Sequence, residues 1–253
     1  NLGGTDTAIN NAGQIVTAGA SGDTVTIGNG SANVFNNLQD GEFILGERTV
    51  VSATQTDLRN AGTVEINSGA RLGLDELSNS GSLSNAGALS VAGGLANTGS
   101  FENTGTLTAD LTQTAGSTIN SGTLGNVTQS GGTGSNSGTV TGALALSGGT
   151  FTNGGTGVIG QVSVAGGTLT NPGAISGTLT LSDAHGWVTN SGAVLGQTAV
   201  SDGVLNNTGS LAGLDLSGGT VTNTGTITGG ATVSGGSLNT EQLSGGLDLS
   251  GGA

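Results

Sequence analysis

The triplet Asn-x-Gly returns along this chain at a nearly constant spacing, and that return restricts the fold more than any other feature. Among its occurrences, the Asn stands at positions 60, 79, 97, 103, 120, 136, 153, 171, 190, 207 and 223. From Asn103 onward the steps are 17, 16, 17, 18, 19, 17 and 16 residues. A second marker, a small residue followed by Gly-Gly, keeps the same pace at Ser147-Gly148-Gly149, Ala165-Gly166-Gly167, Ser217-Gly218-Gly219 and Ser234-Gly235-Gly236. Two markers sharing one period define a solenoid, in which each repeat buries its apolar face only against its neighbours.

Cutting the chain at the aliphatic residue after each Asn-x-Gly-x gives units starting at Leu89, Leu107, Leu124, Val140, Val158, Ile175, Val194, Leu211 and Ile227. Each unit holds short alternating stretches such as Leu144-Ala145-Leu146 and Thr150-Phe151-Thr152, separated by Gly, Ser or Asn. Alternation with period two puts Leu144, Leu146, Phe151 and Val158 on one face and Thr, Ser and Ala on the other. Gly, Thr and Val are poor helix formers, and no 3.6-residue stripe survives the turns. The expected fold is therefore all-β: a parallel β-solenoid of about 17 residues per coil, with three short strands in each. The drift between 16 and 19 residues favours a right-handed β-helix over a left-handed hexapeptide solenoid, which would hold its turn length more strictly.

Corner chemistry follows from the same markers. Recurrent Gly is expected to supply positive φ. Recurrent Asn is expected to tolerate left-handed backbone and to hydrogen-bond from coil to coil, with Asn120, Asn136, Asn153, Asn171, Asn190, Asn207 and Asn223 as the row. Residues 1–56, which carry Phe35, Phe43 and Arg48, repeat less clearly and are read as ornate first coils or a cap; 57–253 form the regular repeats. Leu247-Asp248-Leu249-Ser250-Gly251-Gly252 restates the start of a unit, so the coil stack is expected to continue, covalently or by end-to-end assembly.

Composition narrows the partners. The 33% of hydrophobic residues are mostly Ala, Val, Leu and Ile, so the core is long, thin and aliphatic. The cations are Arg48, Arg59 and Arg71, against 16 Asp and Glu, for a net charge of −13. Binding to nucleic acid needs clustered cations that displace counterions from phosphate, and this chain lacks them. Attraction to anionic membrane surfaces fails for the same reason. No apolar run is long enough for a spanning helix, so this segment is not expected to insert in a membrane. With no Cys, disulfide staples and thiolate metal sites are excluded.

The Asn-x-Gly-x-aliphatic repeat stands as N-T-G-S-F at 97, N-S-G-T-L at 120, N-S-G-A-V at 190 and N-T-G-T-I at 223. Over residues 57–253 it resembles the passenger regions of bacterial autotransporters and filamentous-haemagglutinin-like exoproteins. The resemblance implies a right-handed β-helix exported to the outer-membrane surface or the extracellular space of a bacterium, in a class where many members are adhesins or surface filaments.

One corner departs from the pattern. Ser182-Asp183-Ala184-His185-Gly186-Trp187 replaces the usual Ser-Gly-Gly-Thr and contains the only His and the only Trp. Ser201-Asp202-Gly203 places a second carboxylate at the equivalent corner of the next coil. Asp183, His185, Trp187 and Asp202 are therefore the candidate ligand-contact residues, for a glycan or a weakly held divalent cation. The bland reading is a lengthened, solvated corner. Thr150/Thr152, Thr168/Thr170 and Thr220/Thr222 raise ice binding as a minor alternative, although Thr suits any exposed strand face. No Gly-x-Ser-x-Gly elbow accompanies His185, and the acids do not cluster, so no catalytic residue and no cofactor are expected. The expected function is a non-enzymatic structural or adhesive protein, a stalk or filament segment. It would associate with itself end to end or side by side, or with a host or environmental glycan. The runner-up is a carbohydrate-active enzyme or glycan-binding module on a β-helix.

Overall fold

The computed structural model describes residues 8–17, 24–26 and 33–252. Among them there is no helix, and the strand pairings are parallel throughout. The chain is a parallel β-solenoid. It divides into two compact units, Asn1–Asn126 and Val127–Ala253, each a stack of coils.

A coil of the second unit starts on face 1 with Thr150–Asn153, turns, and continues through Val158–Val164. The start of that long strand forms face 2 and its end face 3. In this coil's pairing with Thr139–Leu146 the register shifts between the two faces, so a bulge makes the bend. Faces 2 and 3 consequently share one sheet while face 1 forms another. In other coils the chain breaks at the bend, as between Ala174–Ile175 and Leu179–Leu181. Three strand segments per coil result, as the alternation predicts.

Inward positions form aliphatic rows. Leu169, Val188, Leu205 and Val221 succeed one another on face 1, and Ile159, Ile175, Val194 and Leu211 on face 2; all are buried. Coils stack about 4.8 Å apart, so each side chain rests on the one before, and full burial of a Leu or Val contributes about 1.5–3 kcal/mol. Val158 departs from the expected inward place. It is 36% exposed, and Ile159 is buried instead. The corner Gly154–Gly157 closes an extra turn, with the Gly157 N–H donating to the Gly154 carbonyl at 2.8 Å, and this shifts the alternation by one residue.

The first unit starts with larger coils. Successive buried Asn residues at its corner, Asn11, Asn37, Asn60, Asn79 and Asn97, bond at separations of 26, 23 and 19 residues and then 18. Part of the extra length is the corner Leu38–Gly41, closed by Gly41 N–H to the Leu38 carbonyl at 2.8 Å. The core here holds Phe35 and Phe43 edge to face, with centroids 5.0 Å apart.

The two glycine markers do different work. In the Gly-Gly corners the second residue is left-handed, with φ of 73° at Gly149, Gly167 and Gly219. Gly69 of Asn67-Ser68-Gly69 is left-handed as well, at 77°, but stands outside the periodic Asn-x-Gly series. In the periodic triplets from Asn60-Ala61-Gly62 to Asn223-Thr224-Gly225 the Gly has no positive φ. It is small because its backbone lies against the coil before it: a Cβ on Gly209 would run into the Gly192 carbonyl, and one on Gly225 into that of Gly209. Nor does Asn adopt left-handed backbone. Among the described non-glycine residues only Arg48 has positive φ, at 63°.

Candidate functional site

Among the described residues, all of the buried Asn side chains but Asn33 form two rows, on different edges of the coil. One runs along the corner between faces 3 and 1, from Asn11 to Asn97. The other runs along the corner between faces 1 and 2, as Asn85, Asn103 and Asn120 in the first unit and Asn136, Asn153, Asn171, Asn190, Asn207 and Asn223 in the second. Within the rows Nδ2 donates to the Asn Oδ1 of the following coil, at 2.7 Å from Asn153 to Asn171 and 2.6 Å from Asn190 to Asn207. At the row ends Asn97 and Asn223 donate instead to the hydroxyls of Thr118 and Thr240. Most also reach backbone carbonyls near the corner, as Asn207 does to Gly209. The amides are thus spent on one another inside the wall, and a ligand does not reach them. The single Asn-x-Gly series in the sequence merges the two rows. Its six-residue step from Asn97 to Asn103 is the jump from one edge to the other, and Asn85-Ala86-Gly87 begins the second row.

Sequence reasoning singled out the corner at 182–187, and there the structure brings together two of the four residues. Asp183 Oδ1 accepts the His185 backbone N–H at 2.8 Å and lies 3.0 Å from His185 Nδ1. The Gly186 N–H donates to the Asp183 carbonyl at 2.9 Å, closing the turn that launches the strand Gly186–Asn190. The backbone hydrogen bond from His185, followed by its ring, holds the Asp183 carboxyl below the ordinary carboxylate range. His185 itself is 91% exposed. Asp202 is turned to its own corner, where Oδ1 accepts the Gly203 N–H at 2.8 Å. No group of three or more His, Asp or Glu side chains among the described residues is placed to hold a metal ion.

Trp187 sits two residues beyond His185 on face 1, directed outward and 45% exposed. Its register partners are Thr168 in the coil before and Val204 in the coil after. The Thr pairs fall into line on this same face: Thr150 opposite Thr168, and Thr152 opposite Thr170. Thr189 and Asn206 continue the second row. Thr220 and Thr222 follow beyond Val204 and Asn206.

Face 3 of the first unit carries two grooves that the sequence reading missed. One, of about 380 Å³, has Arg59 between Asn36 and Ser78, with half-exposed Leu38 at its rim and no carboxylate in its lining. The other, of about 330 Å³, opens beside Gly93-Gly94 between Glu76 and Asp110. There the Asp110 carboxylate is engaged by Asn126 Nδ2 at 2.9 Å. Only the outward alternation of face 3 could have signalled these grooves, and small outward residues such as Ser78 and Ala96 are common on every face.

No protein-family model, no curated protein and no solved structure matches the chain. No helix among the described residues is long and apolar enough to cross a membrane.

Proposed function

We propose that this protein is a non-enzymatic structural and adhesive element of a cell surface or secreted filament, of the kind the autotransporter-like repeat implies. The observation that carries this reading is the buried Asn row. In the second unit it runs through six successive coils from Asn136 to Asn223, inside walls whose backbone groups pair along the stacking direction. Each coil is thereby locked to the next by amide as well as backbone hydrogen bonds. The design suits a stiff, protease-resistant spacer that presents its outer faces. Extracellular display on a bacterium and end-to-end or side-by-side association belong to the same proposal.

Catalysis receives less support. His185 bonds to Asp183 and, among the described residues, to no serine. The in-register Thr pairs on face 1 favour ice binding as a second reading, since they align threonines from coil to coil. Trp187 and Val204 interrupt that alignment, which ranks ice binding below adhesion.

The test is electron microscopy of the purified chain together with limited proteolysis and a surface-adhesion assay. Narrow rods that resist protease and coat a surface are expected. Globular particles, rapid digestion, or cleavage of a polysaccharide panel would reject the reading, and thermal hysteresis in solution would put ice binding in its place.

A further inference from the structure

We infer that face 1 of the second unit is a binding surface for a neutral polysaccharide, with the Trp187 indole as its stacking platform. This rests on the adhesive reading above and names the class of ligand that such adhesion would use.

The first observation is charge. The acids of this unit are Asp183, Asp202, Asp215, Glu241 and Asp248. The first two lie in corners outside the strands, Asp215 and Asp248 share a row on face 3, and Glu241 follows the last strand of face 1. Outward positions of face 1 from Thr133 to Asn239 carry Thr, Ser, Asn, Val and Trp, and not one charge. The same face of the first unit does carry charge, at Glu65 and Glu102. A chain of net charge −13 therefore keeps the outward strand positions of face 1 uncharged throughout its second unit. An anionic polymer approaching it would still meet the repulsion of the protein as a whole, whereas a neutral one would not.

The second observation is the indole. Thr or Val would satisfy strand propensity at position 187, and Thr stands there in the coil before. The chain instead places its only Trp at the middle of the face, 45% exposed, where its burial gains little for the core. An exposed ring with an apolar body and one N–H donor suits a partner that is itself apolar on one side and polar at its edge. A sugar ring is such a partner, with C–H groups on its face and hydroxyls around its rim. Hydroxyl and amide groups surround the ring in the registers of Thr168, Thr170, Thr189 and Asn206. Outward groups lie about 4.8 Å apart between coils and about 6.7 Å apart along a strand. At one end of the strand the half-exposed Asp183 carboxylate, held by His185, offers a further acceptor. A protein partner would need a larger apolar patch, and here Val204 is the only aliphatic outward neighbour of Trp187.

Since Trp187 is the only Trp, its fluorescence reports this face alone. The full chain should be titrated with neutral hexasaccharides of glucose, xylose and N-acetylglucosamine, and with polygalacturonate and heparin as anionic comparators. At least one neutral oligosaccharide is expected to change the emission saturably, with the anionic polymers inert. Trp187→Thr, which restores the residue of the preceding coil, is expected to weaken binding about tenfold or more by calorimetry. Ser163→Ala on face 3 is expected to leave it unchanged. No saturable change with any neutral sugar, an equal response to heparin, or full affinity in W187T would overturn the inference. So would an emission change that tracks protein concentration without sugar, which would make the occupant a second copy of this chain. Each of those results leaves rods and surface adhesion standing, so failure here is distinct from failure of the adhesive reading.

Discussion

Asn190 donates its side-chain amide to Asn207 Oδ1 across 2.6 Å, and neither side chain is exposed to water. Asn171 donates in turn to Asn190. Position 190 is thus an acceptor for one coil and a donor for the next, and its loss strands a buried group on each side. Each stranded group costs about 1–3 kcal/mol. Asn190→Ala is expected to destabilise the protein by about 2–5 kcal/mol in chemical denaturation. Thr189→Ala, directed outward on the same strand, should stay within about 0.5 kcal/mol. Equal effects of the two substitutions would mean that the row does not bind the coils together.

A glycine inside a strand makes the second prediction. Gly134 holds the inward place on face 1, opposite Phe151 of the next coil. A Cβ there would run into the Phe151 ring and crowd Gln129 Oε1. Small and large side chains thus share one volume across two coils. Gly134→Ala is expected to lower stability by about 1–3 kcal/mol through overpacking. Adding Phe151→Leu should restore part of the loss, and thermal melts of the two singles and the double would show it. Simple additivity would place the two side chains out of contact.

These cases mark how far the fold was legible beforehand. Strand interiors were readable because alternation has a fixed period of two, so Leu144, Leu146 and Phe151 fall inward as expected. Corners were not, since Gly, Ser and Asn fill them in any order and their length resets the phase. Gly154–Gly157 moved Val158 outward in this way, and the run Gly131-Gly132-Thr133-Gly134 hid a core position at its last residue. The two Asn rows share one triplet, so spacing alone merged them. Of the candidate site, Asp183 and His185 are close in sequence and were found together. The meeting of Trp187 with Thr168 and Asn206 depends on register between coils, which a small change in corner length alters.

The corner at Asp183 should carry a small pH signature. Its folded pKa is depressed by the His185 backbone N–H and then by the ring. For a depressed acid, the stabilisation is fully present above the unfolded pKa of about 3.9 and disappears as pH falls through the lower folded value. Carboxyl NMR should therefore find Asp183 titrating below the ordinary Asp range, with the His185 amide resonance moving in the same step. Asp183→Ala should remove that step and leave the global melt nearly unchanged, since the corner is open to solvent. A normal Asp midpoint would show that the turn does not persist in solution.

Thr198 offers the opposite case, a place where the chain carries a removable defect. It faces inward on face 3 between Leu179 and Leu214, with none of its surface exposed. Its Oγ1 is buried without a hydrogen-bond partner. An unpaired buried hydroxyl costs about 1–3 kcal/mol, and Val keeps the β-branched shape that the strand already accommodates. Thr198→Val is therefore expected to raise stability by about 1 kcal/mol or more in denaturant titration, with no change in the slope against denaturant. The gain belongs to this position rather than to Thr in general. Thr189 on face 1 points outward and is hydrated, so Thr189→Val should gain nothing. If Thr198→Val destabilised the protein instead, its hydroxyl would have to be bonded in solution, and the aliphatic packing of face 3 at that coil would need revision.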